Sequence, residues 1–322
     1  MSKLKDTSPV LEVKHLSKYF KAGKKRILKA VDDVSFAVRK GETLGLVGES
    51  GCGKTTCGRT GIGLYEKTAG ETLFYGKEIA TLKGKEKQEF TRRVQMIFQD
   101  PYTSLDPRMK VGRLVTEGMR IHKMLKSRQE EQEIAEELLY RVGLHPEYTN
   151  RFISEFSGGQ RQRIGIARAL AVQPEFVLCD EPVSALDVSV QTQIINLLME
   201  QQEKLGLTYL FIAHNLAVVK YISDRIAVMY LGRLIEIGTV EEIYGHPAHP
   251  YTKILLSAIP IPDPDLEQKR ANMQMREWET TDLYQAGCRF ASRCPYATNR
   301  CRQELPKWKA IAPDHEAACH LL

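Results

Sequence analysis

The sequence predicts an α/β layered domain that carries a helical insert and ends in a small cysteine-rich tail. Three observations carry this reading. Short apolar runs alternate with helical stretches across residues 43–240, the segment GESGCGKTT fills residues 48–56, and four cysteines fall within the last 35 residues.

The elements follow in order. Residues 10–20 and 31–38 alternate as β segments around a charged turn. The run TLGLV at 43–47 is a short β-leaning strand that leads directly into Gly48, and Lys54 opens a helix to about residue 64. A compact strand-like run at 94–98 ends at Gln99. Residues 112–143 change to helical character: Ile134, Ala135, Leu138, Leu139 and Val142 share one face at 3.6-residue spacing. A helix over 158–172 precedes a continuous apolar strand, FVLC at 176–179, which ends in Asp180 and Glu181. A helix at 190–203, a strand at 207–213, and a hairpin of 226–231 with 234–237 turning at Gly232 complete the domain. From residue 259 the proline-rich IPIPDPDLEQ reads as a linker. The expected organisation is a main domain over 1–258 with a helical subdomain at about 105–156, a linker over 259–284, and a cysteine-rich domain over 285–322.

Bulk properties narrow the class. The 322 residues are 43% hydrophobic, ordinary for a chain with a substantial core. A net charge of +6 arises partly from the clusters at 24–26 and 83–87, which read as solvated faces rather than a nucleic-acid surface. No apolar N-terminal segment reads as a secretory signal. No apolar run approaches a membrane-spanning length, and the richest, at 209–219, is broken by His214 and Asn215.

Two segments carry phosphate chemistry. Residues 48–56 fit G-x-x-x-x-G-K-[ST] in the order strand, glycine loop, helix. Gly48, Gly51 and Gly53 let backbone N–H groups close around phosphate oxygens, Lys54 reaches the β- and γ-phosphates, and the Thr55 hydroxyl suits Mg²⁺. Cys52 is a small residue tolerated in the loop. In FSGGQRQR at 156–163, Ser157, Gly158 and Gly159 stand just before a helix, where free N–H groups suit a second phosphate. Asp180, at the end of a buried strand, is placed to hold the hydration shell of Mg²⁺, and Glu181 to orient or deprotonate an attacking water. Without a phosphate loop the pair is weak evidence, since such pairs often cap the next helix. Gln99 could reach metal or water through its amide, and His214 could contact the γ-phosphate.

Taken together, these residues resemble the nucleotide-binding subunit of an ABC transporter, over roughly residues 10–240. The resemblance implies an ABC-type P-loop NTPase fold with an antiparallel β subdomain. It implies ATP held by Gly48, Glu49, Ser50, Gly51, Cys52, Gly53, Lys54, Thr55 and Thr56, with Phe20 on the adenine and Tyr19 as the neighbouring candidate. Mg²⁺ would fall to Thr55, Gln99 and Asp180, and catalysis to Glu181, His214 and Gln99. Ser157, Gly158, Gly159 and Gln160 would complete the ATP site of a second ATPase subunit, in a heterodimer packed head to tail. The helical insert would receive one of two membrane permeases, with a substrate-binding protein outside and the ATPase on the cytoplasmic face.

The tail narrows the resemblance. HPYTKILLSAIP from His249 and the cysteine string of the tail resemble the C-terminal extension of oligopeptide/dipeptide importer ATPases. The spacing Cys288-x5-Cys294-x6-Cys301-x17-Cys319 leaves zinc, an iron–sulfur cluster and free or disulfide-linked thiols all open, with His315 and His320 as reserve ligands. The family resemblance implies a [4Fe–4S] cluster. A nickel or other small-solute importer, and a soluble ABC ATPase on nucleic acid or ribosomes, are the rival functions. The remaining thiols, Cys52, Cys57 and Cys179, read as packing residues.

Overall fold

A computed structural model of the chain describes residues 8–23, 26–259 and 286–322. It divides into two compact units. Apart from Ile259, the expected linker lies outside the described residues, as does most of the charged cluster at 24–26.

The first unit holds Val38–Glu42 and Leu73–Ile212, with the chain up to Leu11. Its parallel strands Val94–Ile97, Phe176–Asp180 and Thr208–Ala213 run side by side, in registers that set Ile97 opposite Cys179 and Asp180 opposite Ile212. Every residue of Phe176–Asp180 is buried. This is why that strand reads as an unbroken apolar run rather than an alternating one. The helical insert is built from Pro101–Ser104, Val111–Val115, Glu117–Ile121 and Arg128–Arg141, with 3-10 turns at Pro146–Asn150 and Ile153–Glu155. Arg128–Arg141 begins where the Ser127 hydroxyl accepts the Glu130 N–H at 3.1 Å, and it buries Ala135, Leu138 and Leu139. Those residues lie on the face expected from 3.6-residue spacing. The helical reading of 112–143 is nonetheless broken between Ile121 and Arg128, where the chain turns to start the capped helix.

The second unit holds Glu12–Ala37, Thr43–Thr72 and Ala213–Leu322. The strand Thr43–Val47 lies parallel to Arg225–Tyr230, which forms the expected hairpin with Arg233–Thr239. Beyond that hairpin the sheet continues into the tail: His315–Ala318 pairs antiparallel with Arg233–Thr239, and Trp308–Ala312 closes the edge. Pro9–Ala22 and Arg26–Arg39 are neighbouring long strands, with Ala69–Phe74 on the other flank of the first. Among the described residues, helices Lys54–Gly61, Leu216–Ile222, Val240–Gly245, Pro250–Ser257 and Asn299–Gln303 belong to the same unit. Lys54–Gly61 ends three residues before the expected limit, where Ile62 caps it. Among the described residues no helix is long and apolar enough to cross a membrane.

Candidate nucleotide site

The glycine loop grows from Thr43–Val47, all five residues of which are buried. Gly53 stands at the N-terminus of Lys54–Gly61 with φ +104°, and no side chain caps that helix. A Cβ on Gly53 would lie 2.0 Å from the Ala30 carbonyl oxygen, so only glycine fits. Gly51, at φ +78°, faces open space instead. The loop is thus packed tightly on one side and open on the other, as a phosphate cradle must be. Lys54 is 4% exposed, and its Nζ donates to the carbonyls of Gly48 at 2.8 Å and Glu49 at 2.9 Å. An ammonium held inside the loop in this way suits a phosphate oxygen in the same place. Cys52 is buried, and burial raises its thiol above the ordinary range despite the nearby Lys54 charge. Burial likewise pushes Cys57 to about 12 and raises Cys179. None of these three is an activated nucleophile.

In the same unit, Phe20 is 37% exposed and meets Tyr65 edge-on, with ring centroids 6.4 Å apart. Tyr19 is committed elsewhere: its hydroxyl donates to Asp32 at 2.6 Å. Each ring also carries an ammonium over its face, Lys18 on Phe20 at 4.9 Å and Lys29 on Tyr19 at 5.4 Å from the centroid. His214 is exposed immediately after Thr208–Ala213, ahead of a helix whose first turn is capped by the Asn215 side chain at 2.9 Å from the Ala217 N–H.

The first unit, taken by itself, holds Asp180 and Glu181. Asp180 is fully buried at the end of Phe176–Asp180. Glu181 follows with φ +46°, uncommon for a residue with a side chain, and its N–H donates to the Ile212 carbonyl at 3.0 Å. The Gln99 amide donates to Glu181 Oε2 at 2.9 Å, so the structure brings these two expected residues together. Ser157 caps helix Gly158–Ala171 reciprocally: its hydroxyl accepts the Gln160 N–H at 3.4 Å, and Gln160 Oε1 accepts the Ser157 N–H at 3.0 Å. This S-x-x-Q capping box is a sequence signal that the phosphate reading passed over. Gly159 is fixed by packing, since a Cβ there would lie 2.6 Å from Val190 Cγ1.

Three residues around the glycine loop were not anticipated. Arg293 donates to both carboxylate oxygens of Glu49, at 2.8 and 3.0 Å, from a position 244 residues away. The Glu49 N–H donates to the Tyr251 hydroxyl at 2.9 Å. Arg289 donates to Asp32 at 2.6 Å. Nothing local in the sequence could have paired them.

In the tail, Cys294, Cys301 and Cys319 are buried and Cys288 is partly so. Cys288 is pushed up to about 11, by burial first and then by the thiols of Cys319, Cys301 and Cys294. As placed, however, they do not fit a metal: no three His, Cys, Asp or Glu among the described residues form a metal-holding group. The expected iron–sulfur or zinc site therefore finds no support here. The reserve ligands are engaged elsewhere, His315 Nε2 with Glu236 Oε1 at 2.8 Å and His320 Nε2 with the Glu304 carbonyl at 2.9 Å.

Known proteins resemble this arrangement at two levels. The family model described as ABC transporter matches residues 31–184, and that of the oligopeptide/dipeptide transporter C-terminal region matches 235–301. A dimeric post-hydrolysis structure of the ATP-binding cassette MJ0796, bound to ADP and Pi, aligns with TM-score 0.65 and 28% identity over 71% of this chain and 98% of that one. Fold and loops together define an ABC-type nucleotide-binding cassette. The oligopeptide transport ATP-binding protein OppF of Bacillus subtilis is 56% identical over 86% of this chain and 93% of its own length. AppF of the same organism, also an oligopeptide transport ATP-binding protein, is 48% identical over 97% of each. The chain belongs to the family of oligopeptide/dipeptide ABC-transporter ATP-binding proteins.

Proposed function

We propose that this chain is the ATP-hydrolysing subunit of a membrane importer for oligopeptides or dipeptides. The observation that carries the chemistry is the Gln99–Glu181 hydrogen bond, in the same chain as a phosphate loop that encloses Lys54. Residues 48–56 bind the phosphates of ATP, and Phe20 offers a ring face to the base. Thr55, Gln99 and Asp180 would hold Mg²⁺, which offsets phosphate charge when bound. Glu181 orients the attacking water and accepts its proton, while Gln99 holds the carboxylate in place. His214 contacts the γ-phosphate.

The cargo class follows from the relatives named for oligopeptide transport and from the matching C-terminal region. Nickel import and a soluble role on nucleic acid are not favoured. The partners of this reading are two permeases, a substrate-binding protein and a second ATPase subunit at the cytoplasmic face of the membrane. Ser157–Gln160 serves the site of that second subunit, and the helical region at about 105–156 receives a permease. We retain the division into a main domain over 1–258, a linker and a cysteine-rich region from 285. A [4Fe–4S] cluster or zinc at Cys288, Cys294, Cys301 and Cys319 is a separate reading that rests on the likeness of the tail to the matched C-terminal region alone. Iron, sulfide and zinc analysis of anaerobically purified protein decides it, and no step above depends on it.

Co-purification tests the assignment. The tagged chain should bring down integral membrane permeases together with ATPase activity. Recovery only with ribosomes or DNA would overturn it.

A further inference from the structure

The segment from Cys288 to Cys294 lies against the phosphate loop itself. Phe290 is fully buried against the rings of Tyr230, Tyr251 and His249, with centroids 5.3, 5.4 and 5.8 Å away. An aromatic anchored on three sides fixes the residues next to it. From that anchor two arginines reach in different directions.

Arg293, 6% exposed, grips the Glu49 carboxylate with both terminal nitrogens and lies 3.4 Å from the Tyr230 hydroxyl. Burial alone would lower the charge on Arg293, but Glu49 and Tyr230 more than offset it and hold the guanidinium charged. A bidentate pair of this kind fixes direction as well as distance. Glu49 is thereby held at three points: its side chain by Arg293, its N–H by Tyr251 at 2.9 Å, and its carbonyl by Lys54 at 2.9 Å. The last of these is the lysine that must turn to phosphate when nucleotide binds.

Arg289 works through a relay. It donates to Asp32, which also accepts from the Tyr19 hydroxyl and, at 3.1 Å, from Arg233. The Asp32 N–H donates to the Gly232 carbonyl at 2.8 Å, and the Gly232 N–H donates to the Cys52 carbonyl at 2.8 Å. One tail segment thus reaches the phosphate loop at Glu49 directly and at Cys52 through two backbone bonds.

We propose that Arg293 is a positioning residue for nucleotide binding, and that the Cys288–Cys294 segment is a working part of the phosphate loop through the Arg293–Glu49 clamp. The proposal rests on the ATP-binding reading above. Without the clamp, Glu49 is free to turn and the loop carbonyls around Lys54 lose their fixed direction. Nucleotide must then supply the ordering, so affinity falls before the chemical step does.

The test compares wild type, Arg293→Met and Arg293→Lys as full chains, by equilibrium binding of a fluorescent ATP analogue and by the KM and kcat of hydrolysis. Arg293→Met should weaken nucleotide binding about tenfold, the loss of one charge-assisted pair, with kcat per bound site largely kept. Arg293→Lys keeps charge but cannot bridge both oxygens, and should recover part of the affinity. Should Arg293→Met fail to fold, Arg293→Lys decides alone: a several-fold rise in Kd supports the clamp, and an unchanged Kd overturns it. A fall in active fraction at wild-type Kd and KM marks a merely structural contact and overturns the proposal. Wild type that binds no ATP overturns the nucleotide reading itself, a failure distinguishable from that of the clamp.

Discussion

The Gln99 side chain donates a 2.9 Å hydrogen bond to the Glu181 carboxylate, joining two loops 82 residues apart in sequence. Glu181 is already in an uncommon backbone conformation, at φ +46°, and the Gln99 bond gives its carboxylate a direction. Gln99→Ala should lower ATP turnover by about tenfold, the worth of one hydrogen bond to a charged group, and should weaken nucleotide binding by less than that. Steady-state phosphate release with a parallel binding titration checks both halves.

Two glycines of the phosphate loop should respond differently to the same methyl group. Gly53→Ala meets a backbone carbonyl at 2.0 Å, which the chain cannot avoid without moving Ala30. It should cost upward of about 3 kcal/mol and abolish nucleotide binding. Gly51→Ala faces open space, so only its left-handed backbone is penalised, by about 1–2 kcal/mol. Chemical denaturation of the two variants gives the comparison.

The Ser157 hydroxyl caps helix Gly158–Ala171, so Ser157→Ala should lower stability by about 1 kcal/mol. If Ser157 also serves a second subunit's nucleotide, turnover of the assembled complex should fall much further than that loss explains. Urea melts of the isolated chain and ATPase assays of the complex separate the two roles.

Acid should unfasten the Asp32 cluster. Burial by itself would raise this carboxyl, but Tyr19, Arg233 and Arg289 together hold it below the usual carboxylate range. A depressed folded value means that the stabilisation is present above the unfolded pKa, about 3.9, and is lost as pH falls through the folded value. The stability gap between wild type and Asp32→Asn should therefore be widest near neutral pH and close below about pH 4. Thermal melts across that range measure it.

Sequence and structure agree where chemistry is local. The buried strands Thr43–Val47 and Phe176–Asp180 announce themselves as continuous apolar runs, and the glycine loop follows from its own spacing. Other elements were hidden for physical reasons. The helix Gly84–Arg93 buries only Phe90, so it shows no apolar stripe among its charges. The tail hairpin Trp308–Ala312 with His315–Ala318 has an exposed first strand and a second built largely of small residues. It is specified by the edge of Arg233–Thr239 that it completes. The Arg293–Glu49 and Arg289–Asp32 pairs belong to the same class, since each depends on long-range packing around Phe290 that no window of sequence contains.

The most direct test of the account is single-turnover and steady-state ATP hydrolysis by Glu181→Gln beside wild type, with bound nucleotide measured in the same samples. Glu181→Gln should retain ATP on the protein and lose turnover by at least about a hundredfold, as expected when a general base is replaced by its amide. Hydrolysis at the wild-type rate would contradict the assignment of Glu181 as the carboxylate that activates water.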